Sequence, residues 1–146
     1  MKMYAIGRLL SLIEVYNDGA GNTRDACVDI AKMQYYRRMT WTVEWLDSRV
    51  GDEVEALPKD MKARFLWIIE LIKDHGLERI HEPYVKHVEG PLWEMRMSGK
   101  DGISRAIFVT ANGRRVVVVR VFVKKTQKTP RQEIDLALEK AKKVSK

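Results

Sequence analysis

The chain has 146 residues, 45% of them hydrophobic, enough for one packed domain, and a formal net charge of +7. Its apolar runs, such as 65–69 and 116–119, are far too short to span a bilayer; Arg8 and Glu14 break up the apolar N-terminus, and no small-residue cleavage site follows, so a cytoplasmic protein without membrane contact is expected. A lone Cys27 and three scattered histidines exclude an internal disulfide and a cysteine-rich zinc site, and no metal or cofactor is expected.

Apolar positions at Tyr4, Leu9, Leu12, Ile13 and Tyr16 have roughly helical spacing. Asn17 to Asn22 reads as a turn, and Thr23 is placed to cap a second helix through Tyr36, with Ala26, Cys27, Ile30, Met33 and Tyr36 on one face. Residues 1–38 therefore predict a helical hairpin ahead of the main domain, 39–146. Thr40 to Leu46 alternates and is rich in β-formers, so it predicts a strand. A short helix from Ser48 to Leu57 follows, then a longer one from Pro58 to Asp74 with Met61, Phe65, Ile68, Ile69 and Ile72 as its buried stripe and Gly76 as its stop. Residues 77–91 contain two prolines, two histidines and Gly90, and predict an irregular loop. Three strands are expected next, at 92–98, 103–111 and 115–122, joined by hairpin-type breaks at SGKDG and ANG. Arg131 to Val144 closes the chain as a helix with Ile134, Ala137, Leu138, Ala141 and Val144 on one face. The order predicts an α+β sandwich with a small antiparallel sheet of about four strands, in which the three-strand meander is antiparallel because its connections are too short for crossovers.

Positive charge is concentrated at the end of the chain. Residues 92–146 hold fourteen Lys or Arg against five Asp or Glu, whereas residues 39–91 hold seven against eleven. A small sheet bearing a local cationic field suits a polyanion, most often nucleic acid.

The motifs LWEMR at 92–96, the arginine in SRAIF at 104–108, and VFVKKTQKTP at 121–130 before the last helix occur in that order on a β-meander. With them the chain, from about residue 39 to 146, resembles the RelE superfamily of bacterial toxins, and within it the phage-derived HigB-like branch. That resemblance implies a RelE-like fold and a metal-independent endoribonuclease that cleaves mRNA on the ribosome. The ribose 2′-hydroxyl attacks the adjacent phosphate, which needs a base, an acid and cations for the developing charge. It also implies a cognate antitoxin, commonly one with a helix-turn-helix domain. Residues 1–38 lie outside the family pattern, either as an added module or as the product of an upstream start codon.

By position, the resemblance implies that Arg105 stabilises the transition state and Arg96 contacts the scissile phosphate, since a guanidinium donates two hydrogen bonds to phosphate oxygens. Lys124 and Lys125 match a basic pair at the end of the third strand, and Phe122 sits where an apolar side chain can stack on a base. Arg96, Arg105 and Phe122 lie on adjacent strands and are expected to converge. Some RelE toxins use a tyrosine in the final helix and some HigB toxins use histidines. This helix has no tyrosine, so His87 is the acid/base candidate among His75, His81 and His87, with Lys86 and Tyr84 as substitutes.

Each of these residues has a plainer reading. Arg96 and Arg105 can be solvated strand residues, and an acidic antitoxin segment would equally explain Lys124, Lys125 and Lys128. Those lysines precede a helix whose N-terminus favours anions, which argues for binding over capping. Lys140, Lys142, Lys143 and Lys146 suit a solvated face, with reach to rRNA as the other reading. Trp41, Trp45, Trp67 and Trp93 are expected in the core, and Glu94 in a surface ion pair. A non-catalytic binding module that kept the sheet and lost the chemistry is the rival to the nuclease.

Overall fold

A computed structural model of the protein describes residues 40–124 and 128–144. The expected hairpin over 1–38, and Lys125, lie outside the described residues. The elements are β1 (Thr42–Trp45), α1 (Ser48–Glu55), α2 (Lys59–His75), a 3₁₀ turn (Leu77–Arg79), β2 (Val85–Glu89), β3 (Leu92–Gly99), β4 (Gly102–Ala111), β5 (Arg115–Lys124) and α3 (Arg131–Ala141).

Local chemistry sets the helix boundaries. Asp47 caps α1, its side chain accepting from the Val50 N–H at 3.0 Å. Gly76 ends α2 with φ of 83°, a conformation that disfavours any residue with a Cβ. A Cβ there would also lie 2.7 Å from the Glu78 carboxylate. At the other end of α2, Asp60 accepts from the backbone N–H of Lys100 at 2.8 Å and of Met61 at 2.9 Å, tying the β3–β4 turn to the helix start. Gly99 permits this approach, because a Cβ would meet the Asp60 carboxylate at 2.5 Å. The Lys100 N–H, more than the other donors, holds the Asp60 carboxyl below its ordinary value of 3.8.

The sheet has five strands in the order β1-β5-β4-β3-β2, and it is mixed: β1 runs parallel to β5 while the other pairs are antiparallel. The α+β class is as expected, but the count and the all-antiparallel arrangement are not. Two local facts explain the difference. Pro83 and Pro91 flank the VKHVE segment without entering it, so β2 forms where a loop is expected. Two helices and the rest of the sheet separate β1 from β5, which frees β1 to dock in parallel.

Packing buries both faces. On one face, Phe65, Ile68 and Ile72 of α2 and Val50 and Val54 of α1 cover Met95, Met97, Ala106, Phe108, Val116 and Val118. The Trp45 and Phe65 rings stack at 5.7 Å there, and Trp41 and Trp93 pack at the margin. On the other face, Ala137, Ile134 and Leu138 of α3 pack over Leu92, Ile107, Val109, Val117 and Val119. Trp67 departs from its expected core position and is 41% exposed. It is next to Ile68 in sequence, about 100° around the helix from the buried stripe. There Arg64 lies over its ring at 5.2 Å and Tyr84 meets it edge-on at 5.0 Å.

Strand β5 contains a bulge. Phe108 pairs with Val118 but Ile107 pairs with Arg120, so Val119 is the extra residue. The bulge shifts the alternation by one, turning Phe122 and Lys124 to the α3 face, where Arg105 also lies. Beyond Val118, β5 has outrun β1. There the Glu53 carboxylate accepts the Val121 N–H at 2.7 Å and is pinned by Arg120, which also donates to Glu133 of α3 at 2.7 Å.

Phe108→Ala should lower unfolding free energy by about 3–5 kcal/mol in denaturant titration, since the ring is fully buried and its loss leaves a cavity. Asp60 contributes stability that is present above the ordinary aspartate value and lost as pH falls through its depressed one. Asp60→Ala should therefore melt below the wild type at neutral pH, and the gap should close as pH is taken below 3.8 in thermal scans.

Candidate active site

The alternation of β3 places Leu92, Glu94 and Arg96 on the α3 face and Trp93, Met95 and Met97 on the α2 face. In register, Arg96 lies opposite Arg105, and Arg105 lies opposite Phe122. Two arginines directly across a strand pair repel one another. Glu94 offsets that repulsion: its Oε1 accepts from Nε of Arg96 at 2.9 Å and lies 3.4 Å from Nε of Arg105, an ion pair without the alignment of a hydrogen bond. Its Oε2 accepts from the Thr129 hydroxyl at 3.0 Å, and that hydroxyl accepts from Nζ of Lys124 at 3.3 Å. Arg105 also donates to its neighbour's carbonyl, Ser104 O, at 3.0 Å.

Three cations thus surround one carboxylate. The Arg105 and Glu94 side chains are 4% and 5% exposed, against 28% for Arg96, so Arg96 is the more accessible arginine and Arg105 lies deeper in the cluster. Lys124 is equally buried. Burial first, then the Arg105 and Arg96 charges, push its ammonium below the ordinary lysine value, with Glu94 opposing. Burial likewise lowers Arg105, Glu94 again opposing.

The sheet brings together Arg96, Arg105, Lys124 and Phe122, and Phe122 is half-buried against the α3-side core. Lys86 lies on the same face, opposite Glu94, and its Nζ is 3.5 Å from Glu82. Lys128 is exposed on the approach to α3. His87 stands apart: it pairs with Trp93, so its ring lies on the α2 face, edge-on to that indole at 5.0 Å, with Nε2 2.9 Å from Gly90 O. Tyr84, against Trp67, is also away from the cluster.

Glu94 is the residue the sequence reading undervalued. Expected in a surface ion pair, it is buried because Arg96, Arg105 and Thr129 close over it. Its parity with Leu92 and Arg96 was the available signal. Thr129 offered none. Two surface depressions, both bordered by Trp41 and Arg114, contain none of these residues. Among the described residues no group of His, Cys, Asp and Glu is arranged to hold a metal ion, and no helix is long and apolar enough to cross a membrane.

Comparison with curated proteins finds no match. Among solved structures, the archaeal RelE–RelB complex from Pyrococcus horikoshii OT3 aligns at 21% identity and a TM-score of 0.43, covering 57% of this chain and 94% of that one. The family model for phage-derived Gp49-like proteins matches residues 52–142, which run from α1 through α3 and include Glu94, Arg96, Arg105, Lys124 and Thr129. The chain belongs to the Gp49-like family of phage-derived proteins.

Proposed function

We propose that this protein is the toxin of a type II toxin–antitoxin pair, of the RelE/HigB kind, and acts as an endoribonuclease that cleaves mRNA on the ribosome without a metal. The observation that carries this reading is the gathering of Arg96, Arg105 and Lys124 on one sheet face with a single buried carboxylate among them. Such a patch keeps a positive excess suited to one phosphodiester.

In this mechanism the outer edge of Arg96 receives the scissile phosphate. The 2′-hydroxyl gives up its proton and attacks phosphorus. Charge growing on the phosphate oxygens is stabilised by Arg96 directly and by the field of Arg105 beneath it. The bond to the 5′-oxygen breaks, leaving a cyclic phosphate, and Lys124 donates the proton that the leaving oxygen takes. A lysine made more acidic by burial suits that task. His87, on the opposite face of the sheet, is too far to serve, so the 2′-hydroxyl proton passes to solvent water at the exposed edge of Arg96. Phe122 offers an edge for base stacking, Lys86 and Lys128 extend the cationic track along the RNA backbone, and Lys125, next to Lys124 in the sequence, adds to the local positive charge. An antitoxin partner, with a helix-turn-helix domain in this reading, would present an acidic segment to the same face.

A second reading is a non-catalytic binding module. It is favoured by the burial of Arg105 and Lys124, whose cations Glu94 already neutralises in part. Induced expression followed by a growth assay and mapping of mRNA ends separates the two: growth arrest with new 5′ ends supports the nuclease, and neither effect supports the module.

Arg96→Ala should lower cleavage by about 10²–10³-fold with little change in unfolding temperature, because it removes a donor to the developing charge from a partly exposed position. An active Arg96→Ala enzyme would rule this site out. As a general acid, Lys124 works only while protonated, so the rate should hold at low pH and decline as pH rises through the depressed lysine value, below 10.5. Lys124→Met should lower the rate by about 10²-fold or more, and the residual rate should lack that alkaline limb in the pH–rate profile.

A further inference from the structure

The Glu94 carboxylate takes no part in the steps just described, yet its contacts are more specific than neutralisation alone requires. One oxygen serves Arg96 at 2.9 Å and Arg105 at 3.4 Å. The other takes the Thr129 hydroxyl, through which it reaches Lys124. A single side chain therefore sets the relative positions of all three cations, drawn from β3, β4 and β5.

The two ends of Arg96 are held differently. Its Nε is committed to Glu94, which is buried. Its outer nitrogen NH1 lies 3.4 Å from Glu82, a carboxylate whose side chain is 58% exposed and which also pairs with Lys86 at 3.5 Å. An arriving phosphate meets a guanidinium fixed on its inner edge and weakly held on its outer one. Displacing Glu82 returns an exposed carboxylate to water at little cost. Displacing Glu94 would strand charges inside the protein, which is strongly unfavourable.

We propose that Glu94 is a positioning residue, the internal counter-ion that holds Arg96, Arg105 and Lys124 in one constellation for a phosphodiester, and that Glu82 is the anion a substrate phosphate displaces. This rests on reading the cluster as a phosphate site, but its test does not require cleavage.

The full-length protein and its Glu94→Gln variant are melted with and without millimolar inorganic phosphate. Glutamine keeps the size of the side chain and removes its charge, leaving Arg105 and Lys124 buried without their carboxylate. Free phosphate is then expected to take its place. The variant should melt below the wild type in phosphate-free buffer, and phosphate should raise its melting temperature by about twice the rise seen for the wild type or more. A merely structural glutamate would give no such anion-specific rescue, and a rise no larger than that of the wild type overturns the proposal. If Glu94→Gln does not fold in either buffer, Glu94→Gln combined with Arg105→Met removes the carboxylate together with its most buried partner. That double variant should fold, and its failure to do so overturns the proposal. Where the wild type cleaves RNA, Glu94→Gln should lower kcat per folded molecule by about tenfold or more with no rise in KM. A cleaving wild type with an unaltered kcat in the variant refutes Glu94 alone, whereas a wild type that does not cleave refutes the nuclease and leaves the phosphate result to decide.

Discussion

The arrangement on the α3 face depends on one carboxylate placed among like charges. Two unit charges roughly 4 Å apart at a protein surface interact by about 4 kcal/mol, enough to drive neighbouring guanidinium groups apart. Arg96 and Arg105 are nevertheless register partners, and Lys124 joins them from the next strand. Glu94 makes that gathering tolerable, and Thr129 extends its reach to the lysine. Buried ion pairs of this kind add little net stability, because desolvation offsets most of the attraction. The cluster is therefore a poor source of fold stability, and the reading of it as a phosphate site does not conflict with the energetics of the core.

Much of the scaffold is legible from periodicity. The period-2 alternation in LWEMR and SRAIF, the 3.6-residue stripe from Met61 to Ile72, and the Ile134–Ala137–Leu138 face each predict an element close to where it forms. What escapes is whatever depends on partners distant in sequence. VKHVE is bracketed by prolines and becomes a strand only because β3 offers an edge to pair with. The parallel docking of β1 on β5 leaves no local trace. Trp67 looks like core in an apolar helix, but its angular position leaves it at the surface.

The candidate site shows the same division. The convergence of Arg96 and Arg105 follows from a meander with short turns, and their register bears it out. Lys124 and Phe122 are different. Counting alternate residues from Val117 would send both to the α2 face, and they reach Arg105 only because Val119 bulges out of register. The side of the sheet on which His87 falls is likewise a matter of pairing: Lys86 opposite Glu94 leaves the histidine facing Trp93. A single residue of slip in β2 would have exchanged the two.

The Glu53 carboxylate that takes the Val121 N–H has a bearing on how this molecule keeps to itself. Where β1 stops short, the flank of β5 would otherwise offer its amide to any passing extended chain, the usual first step towards sheet-to-sheet association. A newcomer must instead evict an anion clamped by Arg120, and would gain one amide contact in return for leaving that guanidinium short of a partner. A small protein with a valine-rich strand thereby has that stretch of its edge guarded by one glutamate on a neighbouring helix.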